Sequence, residues 1–189
     1  GHPKTPSGCP IICSYTREGP LMPVDSIIHS IDSETFAEFC AQRDARNTIE
    51  LNVRKWTLML CDALLKNYID YSIKSHQRSV YLEVNVDYHQ ACIEELKNGQ
   101  CGYKFYIESG RKYHKIIMDA QTPPSAGAPI TWPGSRSVHA FVDKKTGEVY
   151  KSASWKSPAK GVRFDLRLIE QREWLLENAD WAGGYLYMK

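Results

Sequence analysis

The chain has 189 residues, a formal net charge of +2, 42% apolar residues and 24% charged residues. That length suits one compact core and is short for two, and the near-average balance of apolar and charged residues excludes a wholly disordered chain. The longest apolar-rich stretch, Trp56 to Leu65, is interrupted by Thr57 and Asp62 and falls well short of the roughly 18 residues of a membrane span.

Gly1 to Pro23 is rich in Pro, Gly and Ser and reads as an extended or disordered segment, with at most a short strand at Ile11-Ile12. It carries no apolar signal segment. Gly1-His2 reads as the scar of tag cleavage and Met22 as a candidate native start. Residues 24–189 are expected to form a single domain. Asp32 or Ser33 is a good N-cap for a helix beginning at Glu34, with Phe36, Phe39 and Cys40 on one face. A longer helix is expected over Thr48 to Ser75. Leu51, Leu58, Cys61, Leu65, Tyr68 and Ile69 trace one stripe on it, and Val53, Trp56, Leu60 and Leu64 widen that stripe enough to imply burial on more than one side. Val80 to Val86 alternates in part and is β-branched, which reads as a strand. Asp87 then caps a short helix that ends at Asn98-Gly99.

From Tyr103 the apolar period changes from 3.6 to 2. Tyr103 to Glu108 and Lys112 to Asp119 flank Ser109-Gly110-Arg111 and read as a hairpin. Ala120 to Ser135 holds four of the ten prolines and reads as a long loop. A second hairpin joins Val138–Val142 to Glu148–Ala153 through Asp143-Lys144-Lys145-Thr146-Gly147, a type I turn with a glycine bulge. A basic loop, Trp155 to Phe164, and an amphipathic helix, Leu168 to Asn178, follow. Tyr185-Leu186-Tyr187 is expected to close the sheet, hinged at Gly183-Gly184. The predicted fold is therefore α+β, a four- or five-stranded antiparallel sheet packed against the long helix, with Trp56, Leu60, Leu64, Phe141 and Val149 in the core.

Most catalytic and metal chemistries find no motif. The six histidines are dispersed, and no His-x3-His or Cys-x2-Cys unit is present. Cys40, Cys61 and Cys92 sit at helix-like apolar positions and read as small hydrophobes; only Cys9 and Cys13 are spaced as a pair. Phosphate-loop and Gly-x-Ser-x-Gly signatures are missing. No metal or cofactor is expected. His114 and His139, on adjacent strands, are the candidates for a hydrolytic His-centred site, against the plainer reading of two half-buried sheet residues.

Charge is distributed unevenly. Residues 1–96 hold 9 Lys/Arg and 13 Asp/Glu, residues 97–163 hold 12 and 4, and residues 164–189 hold 3 and 5. Aromatic rings interleave with the central cations: Lys104, Tyr106, Arg111, Lys112, Tyr113 and Lys115 in the first hairpin, and Lys151, Trp155, Lys156, Lys160 and Arg163 in and after the second. Strand alternation puts Lys104 and Tyr106 on the face opposite Tyr103 and Phe105. Rings for base stacking beside cations for phosphate suit single-stranded nucleic acid. The same pattern arises where Lys guards edge strands, or where a basic surface docks on an acidic protein.

The run Ser137-Val138-His139-Ala140-Phe141-Val142-Asp143-Lys144-Lys145-Thr146-Gly147-Glu148-Val149-Tyr150-Lys151, continued by Trp155, Pro158 and Gly161 and by Ala179-Asp180-Trp181-Ala182-Gly183-Gly184-Tyr185-Leu186-Tyr187, resembles small uncharacterised proteins of tailed bacteriophages over roughly residues 80–189. The resemblance implies a phage accessory protein acting in the bacterial host cytoplasm, with reduced cysteines. Its expected partners are single-stranded nucleic acid or an acidic host protein. It brings no catalytic residues.

Overall fold

The computed structural model describes residues 36–121 and 131–187, and the chain from Cys40 to Lys189 groups as one unit. The extended segment 1–23, the Ile11-Ile12 strand, the Cys9/Cys13 pair and the cap at Asp32 or Ser33 lie outside the described residues, as does most of the Ala120–Ser135 loop.

Helix α1, Phe36–Tyr81, is continuous over 46 residues, about 69 Å at 1.5 Å per residue. The two helices expected here are one, because Gln42 to Asn47 contains no Gly or Pro and nothing stops propagation. Its buried residues are Val53, Thr57, Leu60, Cys61 and Leu64, spaced at three and four along one stripe. Thr57 is tolerated there because its hydroxyl donates to the Val53 carbonyl at 2.7 Å. Leu51 and Leu58, assigned to the buried stripe from sequence, are 68% and 44% exposed. Among its described side chains the helix is buried on one side only. Among the described residues no helix is long and apolar enough to cross a membrane.

Among the described residues, five strands form one antiparallel meander in the order β1 (Tyr103–Ser109), β2 (Tyr113–Ala120), β3 (Ser135–Asp143), β4 (Glu148–Lys151) and β5 (Phe164–Asp165). The fold is α+β, as expected. The last strand is β5, not Tyr185–Tyr187. Those residues follow Gly183, which has φ 81°, into a 3-10 turn over Gly184–Leu186. A bulge interrupts the β2–β3 pairing: Ile116 faces Ala140 and Ile117 faces Val138, leaving His139 without a strand partner.

Helix α3, Ile169–Asn178, supplies Leu175 to the core, and the segment after it supplies Ala179 and Leu186. These close around Val53, Leu60, Cys61 and Leu64 of α1 and Ile116, Ala140, Val142 and Val149 of the sheet. Trp56 lies at the margin of this core, with the Arg172 guanidinium 4.2 Å above its ring. Trp181 fastens the chain end to α1 and β1. Its backbone N–H donates to the Asn67 amide oxygen at 3.0 Å, and its ring meets Tyr68 and Tyr103 edge-on at 5.3 and 5.9 Å.

Val80 to Val86 is not a strand. Val80 and Tyr81 end α1, and Val86 begins α2, Val86–Lys97. The reversal between them is a Schellman motif: Val84 N–H donates to Ser79 O and Glu83 N–H to Val80 O, with Glu83 at φ 56°. The same motif ends α2, where Gln100 N–H reaches Glu95 O, Gly99 N–H reaches Leu96 O, and Gly99 has φ 78°. A glycine marks the second turn in the sequence, and a glutamate hides the first. Left-handed backbone costs a residue with a Cβ about 1 kcal/mol. Glu83→Gly should therefore raise unfolding stability by roughly that amount, and Gly99→Ala, whose added Cβ meets nothing within 4 Å, should lower it by a similar amount. Urea-denaturation midpoints measure both, and a drop in stability for Glu83→Gly would contradict the assignment.

Candidate functional site

Strand alternation divides the sheet between two faces. Phe105, Ile107, Ile116, Ala140, Val142 and Val149 pack toward α1. The opposite, outer face carries Lys104, Tyr106 and Glu108 of β1, Lys115, Ile117 and Asp119 of β2, Arg136 and Phe141 of β3, and Tyr150 of β4, as the strand register requires. Phe141 and Ile117 are fully buried yet belong to this outer face, not to the helix-side core. Phe141 lies under the Lys115 ammonium, 5.9 Å from its ring, and meets Tyr113 edge-on at 5.7 Å. The outer face thus has a small packed layer of its own, built from rings and long cationic side chains.

That layer is a ladder of cations and rings. The Lys104 ammonium is 4.0 Å from the Trp132 ring centre. The Arg136 guanidinium sits between Tyr106 at 5.8 Å and Trp155 at 5.1 Å. Lys115 is 5.4 Å from the same Trp155 ring. Each such contact contributes about 0.5–1 kcal/mol at an exposed site and more when water is excluded. Trp155 arrives on the loop after β4, which is pinned by the Ser152–Pro158 bridge and by Ala159 N–H donating to Lys151 O at 2.7 Å.

The four carboxylates of residues 97–163 are all engaged near this face. Glu108 is hydrogen-bonded to Arg136. Asp119 accepts from Gly134 N–H at 2.8 Å. Asp143 caps the turn by accepting from Lys145 and Thr146 N–H at 2.9 and 3.0 Å, with Lys112 at 3.9 Å. Glu148 accepts from the Tyr150 hydroxyl at 2.6 Å, which pushes that phenol up. No salt bridge forms at Lys104 or Lys115 among the described residues.

Of the residues singled out from sequence, Lys104, Tyr106, Lys115 and Trp155 come together on this face. Tyr113 and Lys112 adjoin it, with the Lys112 ammonium 5.2 Å from the Tyr113 ring. Arg111, Lys156 and Lys160 are exposed on turns. Lys151 does not join them: it pairs with Ala140 on the helix-side face and lies over Tyr187 at 4.7 Å. Arg163 is also withdrawn. Its guanidinium donates to the carbonyls of Leu186, Lys160 and Gly161 at 2.6, 3.0 and 2.7 Å, tying the basic loop to the chain end. Arg136 and Trp132 were missed. The alternation Ser135-Arg136-Ser137, continuing back from Val138, was the available signal for Arg136.

A model of a family of unknown function, DUF7717, matches residues 36–188. The chain belongs to the DUF7717 family. The match takes in α1, which the resemblance over residues 80–189 left aside, so both the long helix and the sheet of the DUF7717 chain fall within it. No curated protein and no solved structure matches the chain.

The two sheet histidines of this DUF7717 chain do not face each other. His114 Nδ1 is 2.6 Å from the Ser109 hydroxyl, and His139 Nε2 is 2.8 Å from the Tyr185 hydroxyl, with Phe105 edge-on to its ring. Burial, then the charges of Lys144 and Arg54, pulls His114 down to about 4. Burial pulls His139 down to about 4 against a weaker pull from Asp180. Cys61 is pushed up to about 12 by burial, so its thiol is inert at neutral pH. Among the described residues, Cys40, Cys61, Cys92 and Cys101 are free, and no group of three or more His, Cys, Asp or Glu side chains gathers to hold a metal.

Both histidines are neutral in the folded chain at pH values where the unfolded chain is already protonated. Stability should be intact above pH 6.5 and fall as pH drops from there to about 4, by up to about 1.4 kcal/mol per pH unit for each histidine. Unfolding free energies measured across that window should show this slope, and His139→Gln should remove part of it. An unchanged slope in that variant would contradict a buried, neutral His139.

Proposed function

We propose that the chain binds single-stranded nucleic acid on the outer face of its sheet, without sequence preference. The observation that carries this reading is the ladder Lys104–Trp132, Arg136–Tyr106–Trp155 and Lys115–Trp155 on a face that no helix among the described residues covers. Lys104 and Lys115 neutralise phosphates, and Trp155, 40% exposed, offers a ring for a base. Stacking on it contributes about 1–3 kcal/mol. Phosphate contacts of this kind position a strand and do not read its sequence. On this proposal the chain acts as a phage accessory protein in the bacterial cytoplasm, the setting that its resemblance to phage proteins implies.

The test is a salt titration with a fluorescent oligothymidylate. Binding should weaken with salt, and Lys104→Ala and Lys115→Ala should each lower the logarithmic salt slope by about 0.7. Trp155→Ala should weaken binding about tenfold with the slope unchanged. Affinity indifferent to salt, or no binding at low salt, rejects the reading.

A second reading is a protein-binding module for an acidic host partner. It is favoured by Lys156 and Lys160, exposed and without salt bridges among the described residues, and by Tyr81, Leu82, Val84 and Tyr88 exposed around the α1–α2 reversal. A complex captured from bacterial lysate should then survive nuclease and be lost on reversing both lysine charges.

A further inference from the structure

At one end of the sheet, on the helix side, α1 and the hairpin turns enclose a cleft of about 410 Å³. Asn47, Glu50, Leu51 and Arg54 line it from α1, at the i, i+3, i+4, i+7 spacing of one helical face. Ser109 at the end of β1, His114 of β2 and Lys144 of the β3–β4 turn close the other side. It is separate from the cation–ring ladder of the outer face, and neither the family match nor the proposed function assigns it a role.

We propose that this cleft is a binding site for a phosphoryl group, held between Arg54 and Lys144 with the Ser109 hydroxyl and the Asn47 amide as neutral hydrogen-bonding partners. The volume suits a small phosphate ester or the terminal phosphate of a nucleic-acid strand. Arg54 and Lys144 come from different elements and converge on one imidazole, and their charges reach it strongly enough to hold His114 further below its ordinary value than burial does alone. Neither cation has a salt bridge among the described residues. Lys144 is oriented by donating through its ammonium to Gly110 O at 3.2 Å, which leaves further N–H groups for a ligand. Glu50 also lines the cleft, four residues before Arg54, without an ion pair to either cation within 4.0 Å. Its carboxylate opposes an anion, so two cations against one carboxylate leave a single surplus positive charge.

The buried His114 supplies the rest of the case. Its ring is 2% exposed and fixed by the 2.6 Å contact between Nδ1 and the exposed Ser109 hydroxyl. The neutral ring can donate its Nδ1–H to that hydroxyl's oxygen, which leaves the hydroxyl proton for an anion and Nε2 as the nitrogen that titrates. An anion seated between Arg54 and Lys144 offsets their field. His114 then becomes easier to protonate, and its titration reports occupancy of the cleft.

The full chain with ¹⁵N-labelled histidine provides the test, using inorganic phosphate as the probe against chloride at equal ionic strength. Saturable phosphate binding should raise the His114 titration midpoint and leave His139 unmoved. Arg54→Gln and Lys144→Gln should each weaken phosphate binding about tenfold, while Lys144→Arg keeps it. A His114 midpoint that ignores phosphate, or that moves equally in the two Gln variants, overturns the proposal. Two further arms separate the ligand sources. If a short oligonucleotide with a 5′-phosphate raises the midpoint and its 5′-hydroxyl form does not, the site takes strand ends; if only inorganic phosphate acts, it takes small esters. Both arms read His114, not the outer face, so failure here leaves the Lys104, Lys115 and Trp155 result standing on its own.

Discussion

Leu60 and Leu64 of α1 are fully buried against a sheet whose helix-side residues, Ile116, Ala140, Val142 and Val149, are fully buried with them. Each large aliphatic side chain sealed in this way contributes about 1.5–3 kcal/mol. α3 and the chain end enter the same core through Leu175, Ala179 and Leu186, so among the described residues the outer face of the sheet receives no helix. A five-stranded sheet with one face covered and one face open must protect its second face by other means. Here the means are its own side chains: Phe141 and Ile117 are fully buried, Phe141 beneath Lys115 and Tyr113, while Arg136 and Lys115 lie against Trp155. The surface proposed for nucleic acid is thus first a solution to a packing problem, and its rings and cations are held in place before any ligand arrives.

Much of this architecture was legible in the residues. The period-2 runs gave both hairpins close to their observed bounds, and Asp143 with Gly147, at φ 71°, forms the predicted turn. The misreadings share one physical source: local pattern was competing with a tertiary choice. α1 has apolar residues on several sides, and only docking against the sheet decides that Val53 and Leu60 are buried while Leu51 and Leu58 stay in water. Val80 to Val86 has strand-like composition, yet a left-handed Glu83 turns the chain from one helix into the next. Tyr185 looks like a strand residue because it is an aromatic among aromatics. Its place is set by His139, 2.8 Å from its hydroxyl, and by the ring of Phe164 at 6.0 Å. β5 has only two residues, too few for any periodic signal.

The candidate site divides along the same line. Alternation correctly separated Lys104 and Tyr106 from Tyr103 and Phe105, because side-chain direction in a strand follows from the pleat alone. Composition then overcounted the cations. Arg163 and Lys151 contribute to the basic tally, yet one is spent on three backbone carbonyls and the other lies over Tyr187 on the opposite face. A charge count carries no information about partners, and a buried or half-buried guanidinium takes whatever acceptors the fold leaves open. Arg136 shows the converse. It lies second in β3, after a proline-rich stretch of sequence that offers little sign of a strand, and becomes the cation held between two rings.

The two hairpin turns connect the outer face to the cleft. Lys144 N–H donates to Lys112 O at 3.0 Å, and the Lys144 ammonium donates to Gly110 O at 3.2 Å, so the β1–β2 and β3–β4 turns are stitched side by side. That stitching gathers Arg111, Lys112, Lys144 and Lys145 at one end of the sheet, with Asp143 among them and Arg54 lining the cleft beyond. At physiological salt a charge acts over about 8 Å, so neighbouring turn cations reinforce one another while more distant ones do not. Glu108, Asp143 and Glu148 lie at this same end and offset part of its charge, as Asp119 does for Lys104 and Arg136 at the other end. A strand bound as proposed on the outer face would therefore meet cations at both ends of the sheet.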